Sequence, residues 1–143
     1  MELVGQLQDV GFRADNRISP YITAYSTVEI SHRDLELFLH ATHLVASHPN
    51  FETCRKKRLN CVFSNTHQFT FSMDDHEVGT QAAFAFYDYV KLQAYNEVNK
   101  VIVFVEEMVH FFWDIEDEIE TKRIVCEIIP EAKYDYERDR YVV

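Results

Sequence analysis

Residues 98–113 carry Val98, Val101, Ile102, Phe104, Val105, Met108, Val109, Phe111, Phe112 and Trp113, with no Gly or Pro to interrupt them. On a helix advancing about 100° per residue these side chains cover an arc of roughly 200°. A helix lying on a surface needs an apolar stripe little more than about 100° wide, so this segment is predicted to be buried on most of its sides. The remaining stripe is narrow and polar. Asn99, Glu106, Glu107, His110 and Asp114 share it with Val103, and it must face either solvent or a cleft.

The rest of the chain has to supply the cover. With 143 residues and 47% hydrophobic side chains there is material for one core, which predicts a single domain over residues 1–143, with 1–20 and 131–143 as arms. An aromatic share of 14% argues against disorder except at the ends. Only three Gly and three Pro are present, so no interdomain linker is evident. A formal charge of −10 repels phosphate backbones, which disfavours nucleic acid as a partner. The basic run Arg55, Lys56, Lys57, Arg58 departs from that balance and reads as a solvated loop. No apolar stretch approaches the roughly 20 residues of a membrane span, and the first twelve residues, with Glu2 and Asp9, lack the pattern of a secretory signal. Cys54, Cys61 and Cys126 are odd in number and lack C-x-x-C spacing, so reduced thiols and a cytoplasmic setting are expected. The expected partner is a protein or peptide, with no membrane involved.

β-Branched and aromatic residues predict a strand over 21–30, and Ser31 followed by Asp34 predicts a helix over about 32–46. Cys61-Val62-Phe63 and Phe69-Thr70-Phe71 flank Ser64-Asn65-Thr66 like the arms of a hairpin, and residues 82–92 read as a further strand with Phe84 and Phe86 on one side. Two helices follow, about 97–113 with Asn96 as N-cap and about 116–129 closed by Pro130. Residues 134–143 form a last strand or an arm.

Glu106 and His110 are four apart, so they stack on adjacent turns, where a carboxylate oxygen and a ring nitrogen can reach one cation. Glu107 sits beside them, placed to work on a bound water. The string Glu106-Glu107-Met108-Val109-His110 is the zinc-protease helix H-E-x-x-H with its first His replaced by Glu. The stretch Glu118-Ile-Glu120-Thr-Lys-Arg-Ile-Val-Cys-Glu-Ile-Ile-Pro130 resembles the second-helix motif of the ImmA/IrrE-type zincin-like peptidases, roughly E-x-E-A-N-R-F-A-A-E-L-L-M-P. The resemblance covers about a third of the chain. It implies a zincin-like α+β fold: a small mixed or antiparallel sheet packed on a buried metal-motif helix and a following glutamate helix. It also implies that Glu118 is the third metal ligand, with His110 as second ligand and Glu107 as catalytic base. This sequence departs from the pattern at Glu106, at Thr121 and Lys122, which stand in place of Ala and Asn, and in the seven residues between His110 and Glu118. A centre of one His and two carboxylates, Glu106 and Glu118, is harder than the usual zinc set, so zinc or another divalent metal such as manganese or iron is implied.

Other groupings have ordinary readings. His40 and His43 are exposed or satisfied histidines, Asp74-Asp75-His76-Glu77 is a polar turn, and the Glu29 to His32 spacing straddles a strand end and a helix start. Asp114, Glu116, Asp117 and Glu120 are a solvated turn and first-turn acids. No Gly-rich phosphate loop or nucleophile elbow is present. Two functional expectations follow: a metal-dependent peptidase or an inactive relative of one, and a non-catalytic protein-interaction module on an α+β scaffold.

Overall fold

Buried and half-buried residues alternate over 22–26, and the sheet they join has its inner face covered, with Val62 buried on the other face as well. The computed structural model describes residues 2–4, 8–54, 57–72 and 76–143; Arg55, Lys56, Asp74 and Asp75 lie outside them. Strands β1 (Glu2–Val4) and β2 (Gln8–Asp9) come first, followed by β3 (Ile22–Ser26) and helix α1 (His32–Ser47). Then come β4 (Leu59–Ser64), β5 (Thr70–Ser72) and β6 (Ala83–Asp88). The second half is helical, with α2 (Tyr89–Leu92), α3 (Glu97–Phe112) and α4 (Glu118–Ile128), and it ends in β7 (Lys133–Asp135) and β8 (Arg140–Val142). None of these helices is long and apolar enough to cross a membrane.

The main sheet has the order β2-β3-β4-β6, with β3, β4 and β6 parallel and β2 antiparallel at one edge. It is a mixed sheet. Register sets Ile22, Leu59 and Ala83 side by side, then Ala24, Cys61 and Ala85, then Ser26, Phe63 and Tyr87. Of these only Ala83 is more than slightly exposed. Phe84 and Phe86 stack 5.7 Å apart on the opposite face.

The hairpin expected around residues 64–66 does not form between those two strands. Both edges of β4 are taken by β3 and β6, so β5 pairs antiparallel with β1 instead. The strand predicted over 82–92 also ends early. The Asp88 side chain accepts a hydrogen bond from the Lys91 amide at 3.1 Å and opens the helical turn α2. The tail is a β7–β8 hairpin with Tyr134 opposite Tyr141, and β7 packs on α4.

Helices α1 and α3 cover the inner face together. Phe38 of α1 meets Phe12, Phe63, Tyr87 and Phe104 edge-on at 5.1 to 6.3 Å between ring centres. Phe104 of α3 also meets Phe63 at 5.8 Å and Tyr87 at 5.2 Å. Such ring pairs add about 0.5–1.5 kcal/mol each to the area they bury. Ser31, Asn96 and Asp117 cap the three long helices, each accepting from the amide three residues on.

A buried ion pair joins the first turns of α1 and α3. Lys100 Nζ lies 2.7 Å from Asp34 Oδ1, with both side chains nearly covered, while Tyr89 and Gln93 donate to Asp34 Oδ2. Burial by itself would raise the Asp34 carboxyl, but the bonds from Lys100, Tyr89, Gln93 and Ser31 outweigh it and hold it at about 2, below its ordinary 3.8. A folded value below the unfolded one means stabilisation that is complete above the unfolded value and lost on acidification. Asp34→Ala should cost about 3 kcal/mol in urea unfolding at neutral pH, since it strands the Lys100 charge. The gap between wild type and variant should shrink as pH falls from 3.8 through about 2. Phe104→Ala should cost about 3–5 kcal/mol in the same assay.

Candidate metal centre

Helix α3 is enclosed by α1, the sheet and α4, and its polar stripe emerges at the seam with α4. Glu106 and His110 are half-buried there, and Glu118 enters from the first turn of α4. One donor atom from each of Glu106, His110 and Glu118 lies within 4.8 Å of the other two. Those are the three residues that the sequence offers as ligands.

The short connection between the helices makes this convergence possible. Asp114 adopts φ 55°, Ile115 N–H donates to the His110 carbonyl at 3.2 Å, and Asp114 N–H donates to the Phe111 carbonyl at 3.3 Å. That is a Schellman turn with Asp in the left-handed position. It brings the Ile115 carbonyl to 2.8 Å from His110 Nδ1. A carbonyl can only accept, so Nδ1 carries the proton and the neutral ring keeps its lone pair on Nε2, the nitrogen 3.5 Å from Glu118 Oε1.

Each carboxylate is also held from behind. The Tyr141 hydroxyl donates to Glu106 Oε2 at 2.8 Å, which ties β8 to the site. Burial, reinforced by the Glu106 charge, raises the Tyr141 phenol well above its ordinary value, so it stays a donor. Lys122 Nζ bonds Glu118 Oε2 at 3.1 Å and leaves Oε1 facing His110. Thr121 is fully buried, gives its hydroxyl proton to the Asp117 carbonyl at 2.8 Å and lies 3.4 Å from His110 Nδ1.

Glu107 lies on the sheet side of the stripe. It is an exposed residue, yet its carboxyl is raised above the ordinary range: loss of water is the largest cause, His110 opposes it, and the Glu106 and Glu118 charges add smaller rises. Its charge also reaches Tyr87 of β6 and Cys61 of β4, whose acidities are already weakened chiefly by burial.

The donor set fits a divalent ion. Ligand atoms around tetrahedral zinc stand about 3.4 Å apart, given bonds of about 2.0–2.1 Å, so contraction of this trio by at most about 1.4 Å would seat one. The free Nε2 lone pair and the two secured carboxylates are the features that metal sites use to orient ligands.

The remaining candidates go elsewhere. His43 pairs with Asp15 at 3.2 Å, His40 is exposed, and His32 pairs with Glu36 at 3.0 Å rather than with Glu29. Asp117 is the N-cap of α4, and Glu120 binds Arg123. Tyr141 and the Ile115 carbonyl carry no local signal in the sequence, because their roles depend on which way the tail and the turn fold. In a long-range proton–nitrogen NMR spectrum, the neutral His110 ring should show a protonated Nδ1 and an unprotonated Nε2. The reverse tautomer would break the geometry described. No family model, curated protein or solved structure matches this chain.

Proposed function

We propose that the chain binds a divalent metal ion through Glu106, His110 and Glu118 and hydrolyses peptide bonds with Glu107 as general base. The convergence of those three donors beside Glu107 carries the reading. The resemblance of residues 106–130 to ImmA/IrrE-type zincin-like peptidases supports the same roles.

A bound divalent ion would supply Lewis acidity for the scissile carbonyl and for a water molecule. The protein's own groups do the rest. Glu107, with its raised carboxyl, is suited to take a proton from water and pass it to the departing amine. Ile115 keeps the His110 lone pair on Nε2, and Tyr141 keeps Glu106 turned inward. Strand β6 is an edge of the main sheet, so its outer backbone groups can pair with an extended peptide along residues 83–88. Two carboxylates and one imidazole suit zinc, manganese or iron.

Elemental analysis of native protein purified without chelator should find about one metal ion per chain, lost in His110→Ala. Tyr141→Phe should weaken metal binding about tenfold. Glu107→Gln should retain the metal and cut peptide hydrolysis about a hundredfold or more. A metal-free native protein would overturn this reading and leave the non-catalytic interaction module.

A further inference from the structure

A recess of about 420 Å³ opens at the amino ends of β4 and β6, with Lys57, Arg58, Asn60, Gln81, Ala83 and Phe111 among its walls. That size is ample for a side chain or a small ligand. Phe111 lies four residues beyond Glu107 on the same side of α3, about 6 Å along the axis. The recess therefore lies on the same flank of α3 as Glu107.

Its charge is the reverse of the molecule's. In a chain with 24 acidic and 14 basic residues, Lys57 and Arg58 are both exposed, and neither has a carboxylate partner among the described residues. Among the described residues, Arg58 makes one long contact, 3.4 Å, to the Pro20 carbonyl. Asn60, by contrast, is held at both side-chain polar atoms: it accepts from Thr23 at 2.6 Å and donates to the Ala83 carbonyl at 3.0 Å. A hydrogen-bonded wall thus stands beside two cations that have no carboxylate partner among the described residues. At physiological salt, charges more than about 8 Å away are largely screened, so an anion inside the recess would feel these two more than the net charge.

We propose that this recess binds the side-chain carboxylate of an extended acidic peptide lying along β6, with Arg58 and Lys57 as the specificity-determining residues. The guanidinium fork and the ammonium supply charge-assisted hydrogen bonds of the kind carboxylates select. The link to cleavage rests on the metal-peptidase reading above, whereas the binding itself stands on the recess.

The test is fluorescence anisotropy with a dye-labelled, C-terminally amidated alanine peptide bearing a central Glu-Glu pair, set against its Gln-Gln counterpart. Amidation leaves side-chain carboxylates as the peptide's only ones, and His110→Ala protein prevents turnover. The Glu peptide should bind about tenfold more tightly. The Lys57→Gln, Arg58→Gln double variant should lose that preference while keeping its melting temperature and, when made in the wild-type background, its metal content. Equal affinities, no measurable binding of either peptide, or a preference that survives in the double variant would overturn the proposal. Metal content of the wild type separates the two readings. Metal-free protein that still prefers the Glu peptide sinks the hydrolase and keeps the recess, whereas metal-loaded protein without the preference does the opposite.

Discussion

The edge-on packing of Phe104 against Phe38, Phe63 and Tyr87 is the contact from which the rest of the structure follows. It fastens α3 to the sheet and to α1 at once, in a layer where all four rings are nearly inaccessible. A helix held on those sides can show its polar residues only along a seam. Glu106, Glu107 and His110 are therefore partly dried and close to one another, and not spread over a solvated face.

That drying has chemical consequences. The weakened acidity of the Glu107 carboxyl and of the Tyr141 phenol comes mainly from lost water, with like charges adding to it. Gathering Glu106, Glu107 and Glu118 at one seam is electrostatically costly. Lys122 and the hydroxyl of Tyr141 offset part of that cost, and a divalent cation would offset more. At the far ends of α1 and α3, the Asp34–Lys100 pair resolves the same problem with a fixed counter-charge, which is why that cluster is structural.

Much of the helical half was legible before folding. Ser31 and Asn96 cap as local patterns require, Asp117 caps α4 where a first-turn acid was expected, and the apolar arc of α3 is buried on most sides as its width demands. Strand pairing was not legible. Residues 61–63 and 69–71 alternate in the way a hairpin would, but β4 is a central strand with parallel partners on both edges, and nothing within the segment records that. Residues 89–92 looked extended because Tyr and Val favour strands, and the cap supplied by Asp88 overrode that preference. At the site, the spacing of Glu106 and His110 places them on one helix face, while Glu118 could be put beside them only through a family resemblance.

By itself the sequence determined the three long helices and the polar stripe of α3, because periodicity and capping act within one turn of the chain. Only the tertiary structure decided that Tyr141, more than thirty residues away, bonds Glu106 and that Ile115 sets the His110 tautomer. It also decided that Lys57 and Arg58 open onto a recess beside β6. These depend on strand order and on the geometry of a turn, and such long-range choices are made by packing the whole core at once.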